Sequence, residues 1–527
     1  MQILTNHLGY LPTAVKQAIL RSEGAEPPAA KTFDVLDGRT GQVVHSGPIV
    51  PCGPVSHWKN WFFCTMDFSS LTAPGRYVLR VADGRNAGHH LSHPFEIRTK
   101  LIEETISDVL YYFRSQRCAD EFDATDRAVP IFGEDRTADV HGGWYDASGD
   151  VSKYLSHLSY ANFMNPQHTP LIVWGMFKAS DELNHKNREA GLHGTEKMAR
   201  RLFSEALYGA DFLVRMQDPG GAFYMTVFDQ WTADIHKRMI CEYVGQDGRR
   251  FATWQCAWRQ GGGMAIAALA VAAAKGVSRD YDATTYLQTA IRGFDHLEAH
   301  NLAYCNDGKE NIIDDYCALM AATELFRATG DQRFAAAAAK RADSLLARVS
   351  TDERYAGWLR ADDGRRTFSH GAETGLPVIA LLNFADTLGD GPQKSRVRDG
   401  VRQILTFELR ITADAPNPFG YPRQYVTELD GTRRPSFFIA QKNETGYWWQ
   451  GENARLGSLA TAARWAARLF DAAFAQQLED YATRCINWIL GLNPYDVCML
   501  QGRGFNNAVY EEGAPGAPGG ICNGITA

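Results

Sequence analysis

Up to about residue 98 the apolar positions come in short bursts. KQAILRS, KTFDVLD, WFFCTMDFS, GRYVLRVA and HPFEIR are rich in β-branched and aromatic residues, and turn clusters such as DGRTG, PCGPV and TAPG separate them. Short strands broken by Gly, Pro and Asp predict a β-sandwich of immunoglobulin type over residues 1–98. At Lys100 the pattern changes. LIEETISDVLYYFRSQRC repeats its apolar positions at three- and four-residue intervals, and helical periodicity dominates from there. It predicts eleven helices, near 101–118, 151–183, 198–217, 259–275, 283–300, 313–329, 331–349, 371–388, 394–409, 451–469 and 472–490. The loops at 119–150, 218–257 and 410–450 are long for a compact domain, and such loops usually carry function. The expectation is a multidomain chain whose second domain, residues 99–527, is an α/α toroid with active loops at one end. A closed toroid of six hairpins would have one helix more than this pattern supplies.

Length and charge narrow the possibilities. A chain of 527 residues exceeds what one hydrophobic core sustains, in keeping with two domains. The net charge of −7 and pI near 6.1 argue against a nucleic-acid surface. The longest apolar run, MAIAALAVAAA, is too short to span a bilayer, and MQILTNHLGY has neither the basic nor the apolar part of a signal peptide. With ten scattered cysteines and no C-x-x-C pair, these features predict a cytoplasmic protein with reduced thiols and no membrane partner. Metal-ligand spacings, H-E-x-x-H, G-x-S-x-G, Walker A and dinucleotide fingerprints are absent, so no metal and no cofactor are expected.

The sharpest local feature is HGGWYDASGDVSKY, from His141 to Tyr154. Its glycines allow a tight backbone, and Trp144 and Tyr145 offer aromatic faces of the kind on which sugar rings stack. Asp146 and Asp150 sit close enough to share proton handling, one activating a water while the other orients it, or to bind a cation. Asp150 is also a good cap for a helix at VSKYLSHLSY. A second candidate region is NETGYWWQGENARL, where Tyr447, Trp448 and Trp449 precede a helix opening at Glu452. Glu452 is a substrate contact, a proton donor, or a first-turn acid favoured by the helix dipole. Asp314 and Asp315 are helix caps or a carboxylate pair that would attract an ammonium group. Glu373, His141, Tyr316 and Arg503 are pocket candidates with ordinary structural readings beside them. Glu511 and Glu512 read as solvated loop acids.

GGWYDASGD resembles the G-G-W-Y-D-A-G-D motif of glycoside hydrolase family 9, with one residue inserted. EALYGADFLVRMQDPGGAFY, CALMAATELFRATGD, NWILGLNPYD and the opening NHLGYLPTAVKQAIL are also similar to segments of that family. The resemblance implies a β-sandwich followed by an (α/α)6 barrel, an oligosaccharide substrate, and inversion at the anomeric carbon. Asp150 then corresponds to the base and Asp146 to its partner. Within the family the chain is most similar to bacterial exo-β-glucosaminidases, whose two Asp are also four residues apart. That implies release of glucosamine from the nonreducing end of chito-oligosaccharides. A β-1,4-glucanase is the alternative, and a non-catalytic carbohydrate-binding protein a second one. The family's proton donor is a Glu opening the last barrel helix, after the L-G-x-N-P segment. Because only GRGFNNAVYEEGAPGAPGGICNG and three further residues follow NPYDVCMLQ, the resemblance places the general acid and the last barrel helix beyond Ala527.

Overall fold

Alternating burial explains the strands. β1 Gln2–Leu4, β2 Gln17–Glu23, β3 Thr32–Asp37, β4 Val43–Gly53, β5 Trp61–Asp67, β6 Gly75–Ala82, β7 His89–Leu91 and β8 Phe95–Ile97 pair in the order β1-β2-β5-β4-β3-β6-β7, with β8 also on β6. The computed structural model describes residues 1–24, 26–83, 88–147, 149–156, 165–190, 195–244, 247–438, 451–509 and 517–525. β4 turns the sheet back on itself, because its first half pairs with β3 and its second with β5. Phe33, Val35, Cys64, Met66, Leu79 and Val81 fill the resulting sandwich. Leu4, Ile19 and Phe63 point out of the other face and join the core of the helical domain. Burial on both faces is why AIL and FFC read as unbroken apolar runs.

The helices are α1 Ile106–Ser115, α2 Asp120–Thr125, α3 Thr169–Ala190, α4 Thr195–Arg215, α5 Gly262–Ala274, α6 Ala283–Tyr304, α7 Ile312–Thr329, α8 Gln332–Ala347, α9 Leu376–Ala385, α10 Pro392–Ala413, α11 Glu452–Ala467 and α12 Ala472–Ile489. α3, α5, α7, α9 and α11 lie side by side as an inner layer, and each packs with the helix that follows it outside; α1 packs on α4. Helices apolar on every side belong inside. All of α9 and residues 262–272 of α5 are buried, whereas α8 buries one stripe. Trp174 against Trp465 and Glu182 with Arg468 join α3 to α11. Among the described residues this is the layout of an (α/α)6 barrel.

The helices expected from periodicity are present, and the six-residue α2 is added to them. One expectation is corrected. Of the helix expected at 151–183, the part seen among the described residues is α3 from Thr169, with Pro170 in its first turn. Residues 151–156 are extended instead, and Lys153–Tyr154 pairs with Val227 and Thr226. Asp150 therefore leads into a strand and caps no helix. Capture by a strand some seventy residues away overrides the local helical period.

A buried ionic group fixes this segment. Lys153 Nζ lies 2.6 Å from Asp126 Oδ2 and donates to the carbonyls of Val140 (2.6 Å) and Gly142 (2.8 Å). Arg238 donates to both oxygens of Asp126, at 2.6 and 2.7 Å, and to the Val151 carbonyl at 2.9 Å. Both ends of the 140–151 loop are thus tied to one carboxylate. Burial works to raise the Asp126 pKa, yet Lys153 and Arg238 hold it below the usual carboxylate value. Asp126→Asn would leave two buried cations without their countercharge, at a cost of about 3–5 kcal/mol. The expected result is a clear drop in the thermal midpoint followed by circular dichroism, and an unshifted midpoint would show that the clamp matters little.

Candidate active site

Between the clamped ends the loop is shaped by its glycines. Gly142 and Gly143 have φ of +79° and +75°. A Cβ on Gly143 would lie 2.8 Å from the Phe212 ring, so only glycine lets this backbone rest on α4. Trp144 then drops into the core. It is 3% exposed, its Nε1 donates to Glu205 Oε1 at 3.1 Å, and its ring meets Phe113 and Tyr208 edge-on. Gly209 makes room for it, since a Cβ there would be 2.4 Å from the indole. Trp144 therefore anchors the loop, which corrects the expectation that it offers a face to sugar. Tyr145 is half-buried; its hydroxyl accepts the Ala119 N–H at 3.2 Å and its ring meets Phe122, tying the loop to α2.

The two aspartates come from one closed turn. Asp146 N–H donates to the Ser152 carbonyl at 3.0 Å, and Ser152 N–H donates to Asp150 Oδ1 at 2.9 Å. Gly149, at φ +92°, supplies the left-handed residue the turn requires. Tyr154 OH donates to Asp150 Oδ2 at 3.0 Å, and Ser152 Oγ to the buried Asp229 at 2.8 Å. His168 Nδ1 lies 2.9 Å from Asp146 Oδ1. Burial, and then the neighbouring Asp146, raise the Asp150 pKa above its ordinary value, against the opposing hydrogen bonds from Ser152 and Tyr154. A carboxylate so raised, with a second carboxylate beside it, is suited to take a proton from water.

Behind His168 stands Glu373, the candidate from SHGAET. It accepts the Gln167 N–H and, at 2.5 Å, the Tyr316 hydroxyl. Burial pushes its pKa up to about 7. His370 Nδ1 accepts the N–H groups of Ala372 and Glu373, each at 3.0 Å, and burial pushes its pKa down to about 3, so it is neutral. Tyr316 and Glu373 thus support the aspartate pair through the 167–168 backbone.

Other expected site residues lie elsewhere. Asp315 is 2% exposed and paired with Arg348 at 2.6 Å and Arg341 at 3.3 Å, while Ser344 donates to it, so it binds α7 to α8 and faces no mouth. Asp314 completes a reciprocal cap with Asn311, and burial raises its pKa to about 6. Glu452 is fully buried. Its Oε1 accepts from Tyr421 OH (2.7 Å) and Trp488 Nε1 (3.2 Å), and its Oε2 from Ile525 N–H (2.9 Å). With donors on both oxygens it serves as an anchor for the 517–525 segment, which corrects its reading as a sugar contact. Arg503 pairs with Asp108 on α1, and His141 with Asp139. Tyr447, Trp448, Trp449, Glu511 and Glu512 lie outside the described residues. Ser152, Tyr154 and His168 escaped the sequence reading. Taking 151–156 as a strand would have pointed to the first two; His168 has no local signal.

Comparison with known proteins places both domains. Residues 103–511 match the family described as Glycosyl hydrolase family 9, and residues 1–86 match the Cellulase N-terminal ig-like domain. Endoglucanase C of Cellulomonas fimi is 32% identical over 183 residues, covering 29% of this chain and 16% of that protein. A xyloglucan-specific endo-β-1,4-glucanase of Bacteroides ovatus is 22% identical over 441 residues, covering 75% of this chain and 69% of that protein. The chain therefore spans only a small part of the first of these relatives. Among solved structures, a Bacteroides ovatus GH9 protein aligns with a TM-score of 0.66 at 19% identity, covering 98% of this chain and 91% of that one. A metagenome-derived glycoside hydrolase family 9 endoglucanase aligns with a TM-score of 0.62 at 22% identity, covering 96% and 86%. Likeness at these identities shows the fold alone. The match over 103–511, on a barrel that carries the paired aspartates in its GGWYDASGD loop, makes this chain a member of glycosyl hydrolase family 9, with an N-terminal immunoglobulin-like domain.

Proposed function

We propose that this chain is an inverting glycosidase acting on β-1,4-linked oligosaccharides. Asp150 takes the proton from the attacking water as its oxygen bonds to the anomeric carbon, Asp146 orients that water, and a separate protonated carboxyl gives its proton to the departing glycosidic oxygen. The carrying observation is the turn that presents both carboxyls, with Asp150 fixed by Ser152 N–H and Tyr154 OH and its pKa raised by burial. In an inverting reaction the base acts on the face of the sugar opposite the leaving group, so one water must be held beside one carboxylate. Two groups on the same turn can do this without a metal.

For the sugar, β-1,4-glucan is the reading favoured by the names of the relatives, an endo-β-1,4-glucanase and a Cellulose 1,4-beta-cellobiosidase of Acetivibrio thermocellus that is 26% identical over 187 residues. The engagement of Asp315 and Glu452 supports it, since neither is left to meet an amino group. Glucosamine oligomers are the second reading. It is favoured by the four-residue spacing of Asp146 and Asp150.

Monosaccharide release from cellobiose and from the β-1,4 glucosamine disaccharide separates the two. Release from cellobiose alone establishes the glucan reading, release from the amino sugar alone replaces it with the glucosamine reading, and release from neither disaccharide nor longer oligomers refutes hydrolysis by this chain. Asp150→Asn should lower turnover by about 10²–10⁴-fold with the melting midpoint retained, because that is the usual worth of general-base help. A base works deprotonated, so activity should fall as pH drops through a value above the ordinary 3.8. Tyr154→Phe removes a hydrogen bond that favours the carboxylate and should move this acidic limb to higher pH. Asp146→Asn removes the repulsion and should move it lower. Unmoved limbs in kcat/KM profiles of both variants would take the base role away from Asp150.

A further inference from the structure

A cavity between the two domains plays no part in the reaction proposed above. It has a volume of about 610 Å³ and is walled by Trp58 and Trp61 of the sandwich and by Phe437, Trp488 and Tyr495 of the barrel. Asp146, Asp150 and His168 do not line it. The Trp58 ring lies 5.0 Å from Phe437 and 5.9 Å from Trp488, and Trp61 lies 5.6 Å from Tyr495.

The charged groups on this wall have one sign. Among the described residues Lys59, Arg423 and Arg434 line it and no carboxylate does, in a chain whose net charge is −7. Arg434 is matched by Glu428 just outside. Arg423 is 8% exposed, stands 5.2 Å over the Phe437 ring and gives one N–H to the Ile411 carbonyl, yet its Nε has no partner. Its attraction to Asp414 is outweighed by burial, which lowers its pKa. Ser436 is 5% exposed, and its Oγ is also without a partner. Lys59 Nζ lies 5.3 Å over the Tyr495 ring, and no ion pair reaches it among the described residues. Buried polar groups nearly always find a partner, and two that have none belong to residues of this wall.

The geometry points to a second carbohydrate site here, one that takes a negatively charged sugar. Aromatic walls suit the apolar faces of a pyranose. Lys59 and the guanidinium of Arg423, which both line the cavity, supply charged hydrogen bonds and the countercharge for a carboxylate or a phosphate. The occupant would touch both domains.

The test is a saturation-transfer NMR titration of the chain with glucuronate, glucose 6-phosphate and glucose. A charged sugar should bind, more weakly as salt is added, and glucose at least about tenfold more weakly still, a difference of about one decade in Kd. Binding of glucuronate alone identifies a carboxylate sugar, and of glucose 6-phosphate alone a phosphorylated one. Lys59→Ala and Tyr495→Ala alter exposed side chains; each should weaken binding roughly tenfold and leave the melting midpoint in place. Asp150→Asn should leave binding unchanged. Equal binding of glucose, no binding of either charged sugar, unchanged affinity in both Lys59→Ala and Tyr495→Ala, or loss of binding in Asp150→Asn would each overturn the proposal.

Discussion

Asp126 meets no solvent, and two cations, Lys153 and Arg238, converge on it from different parts of the chain. Lys153 spends its remaining donors on the carbonyls of Val140 and Gly142, and Arg238 spends one on Val151. A buried ion group of this kind holds together only if every partner is in place, so it specifies one conformation of the loop it grips. That loop needs such a grip. It contains three glycines with positive φ and sets Asp146 against Asp150, both of which would favour a looser arrangement. Asp126 and Asp150 act on stability in opposite senses. Asp126, its pKa lowered by folding, adds stability above its ordinary value and loses it as pH falls through the folded value. Asp150, its pKa raised, costs stability once the pH is high enough to ionise it. The clamp offsets the strain that a reactive carboxylate introduces.

The sandwich takes part in this construction. Its β1-β2-β5 face is core on both sides, with Ile19 and Phe63 packed among barrel residues. His7 stacks on Phe505 and bonds Asp496, and Asn6 bonds Asn487. Trp58 carries the contact further. It packs on Phe419 and Trp488, and Trp488 donates to Glu452 at the first turn of α11. A residue of the first domain is thus two contacts from an inner-helix terminus of the second. Removing the sandwich would strip apolar cover from the barrel as well as delete a neighbour.

Much of the architecture was legible because it is local. Strand alternation, turn residues and helical periodicity are properties of residues a few positions apart, and they located the sandwich and, α3 apart, the long helices within a few residues. The aspartate pair was legible for the same reason, since Asp146, Gly149 and Asp150 share one turn whose chemistry follows from their spacing. What failed was orientation. Trp144 looked like an open aromatic face and is a core anchor, because Gly209, which makes room for it, lies on a helix sixty-five residues away. Asp315 looked like a mouth residue and is consumed by Arg341 and Arg348 on the next helix.

The sequence by itself determined the class of fold, the family and the two carboxylates that carry the proposed chemistry. Each of these rests on short-range pattern or contiguous motif. The tertiary structure alone decided what those carboxylates meet. Lys153–Tyr154 became a strand because residues 226–228 offered open hydrogen bonds, a choice that periodicity cannot register. His168 reached Asp146, and Glu373 reached the backbone beside His168, across separations of 22 and 206 residues. Burial, which raises the Asp150 pKa and lowers that of His370, comes from the packing of whole elements. Proton affinity depends on that environment, and no stretch of sequence contains it.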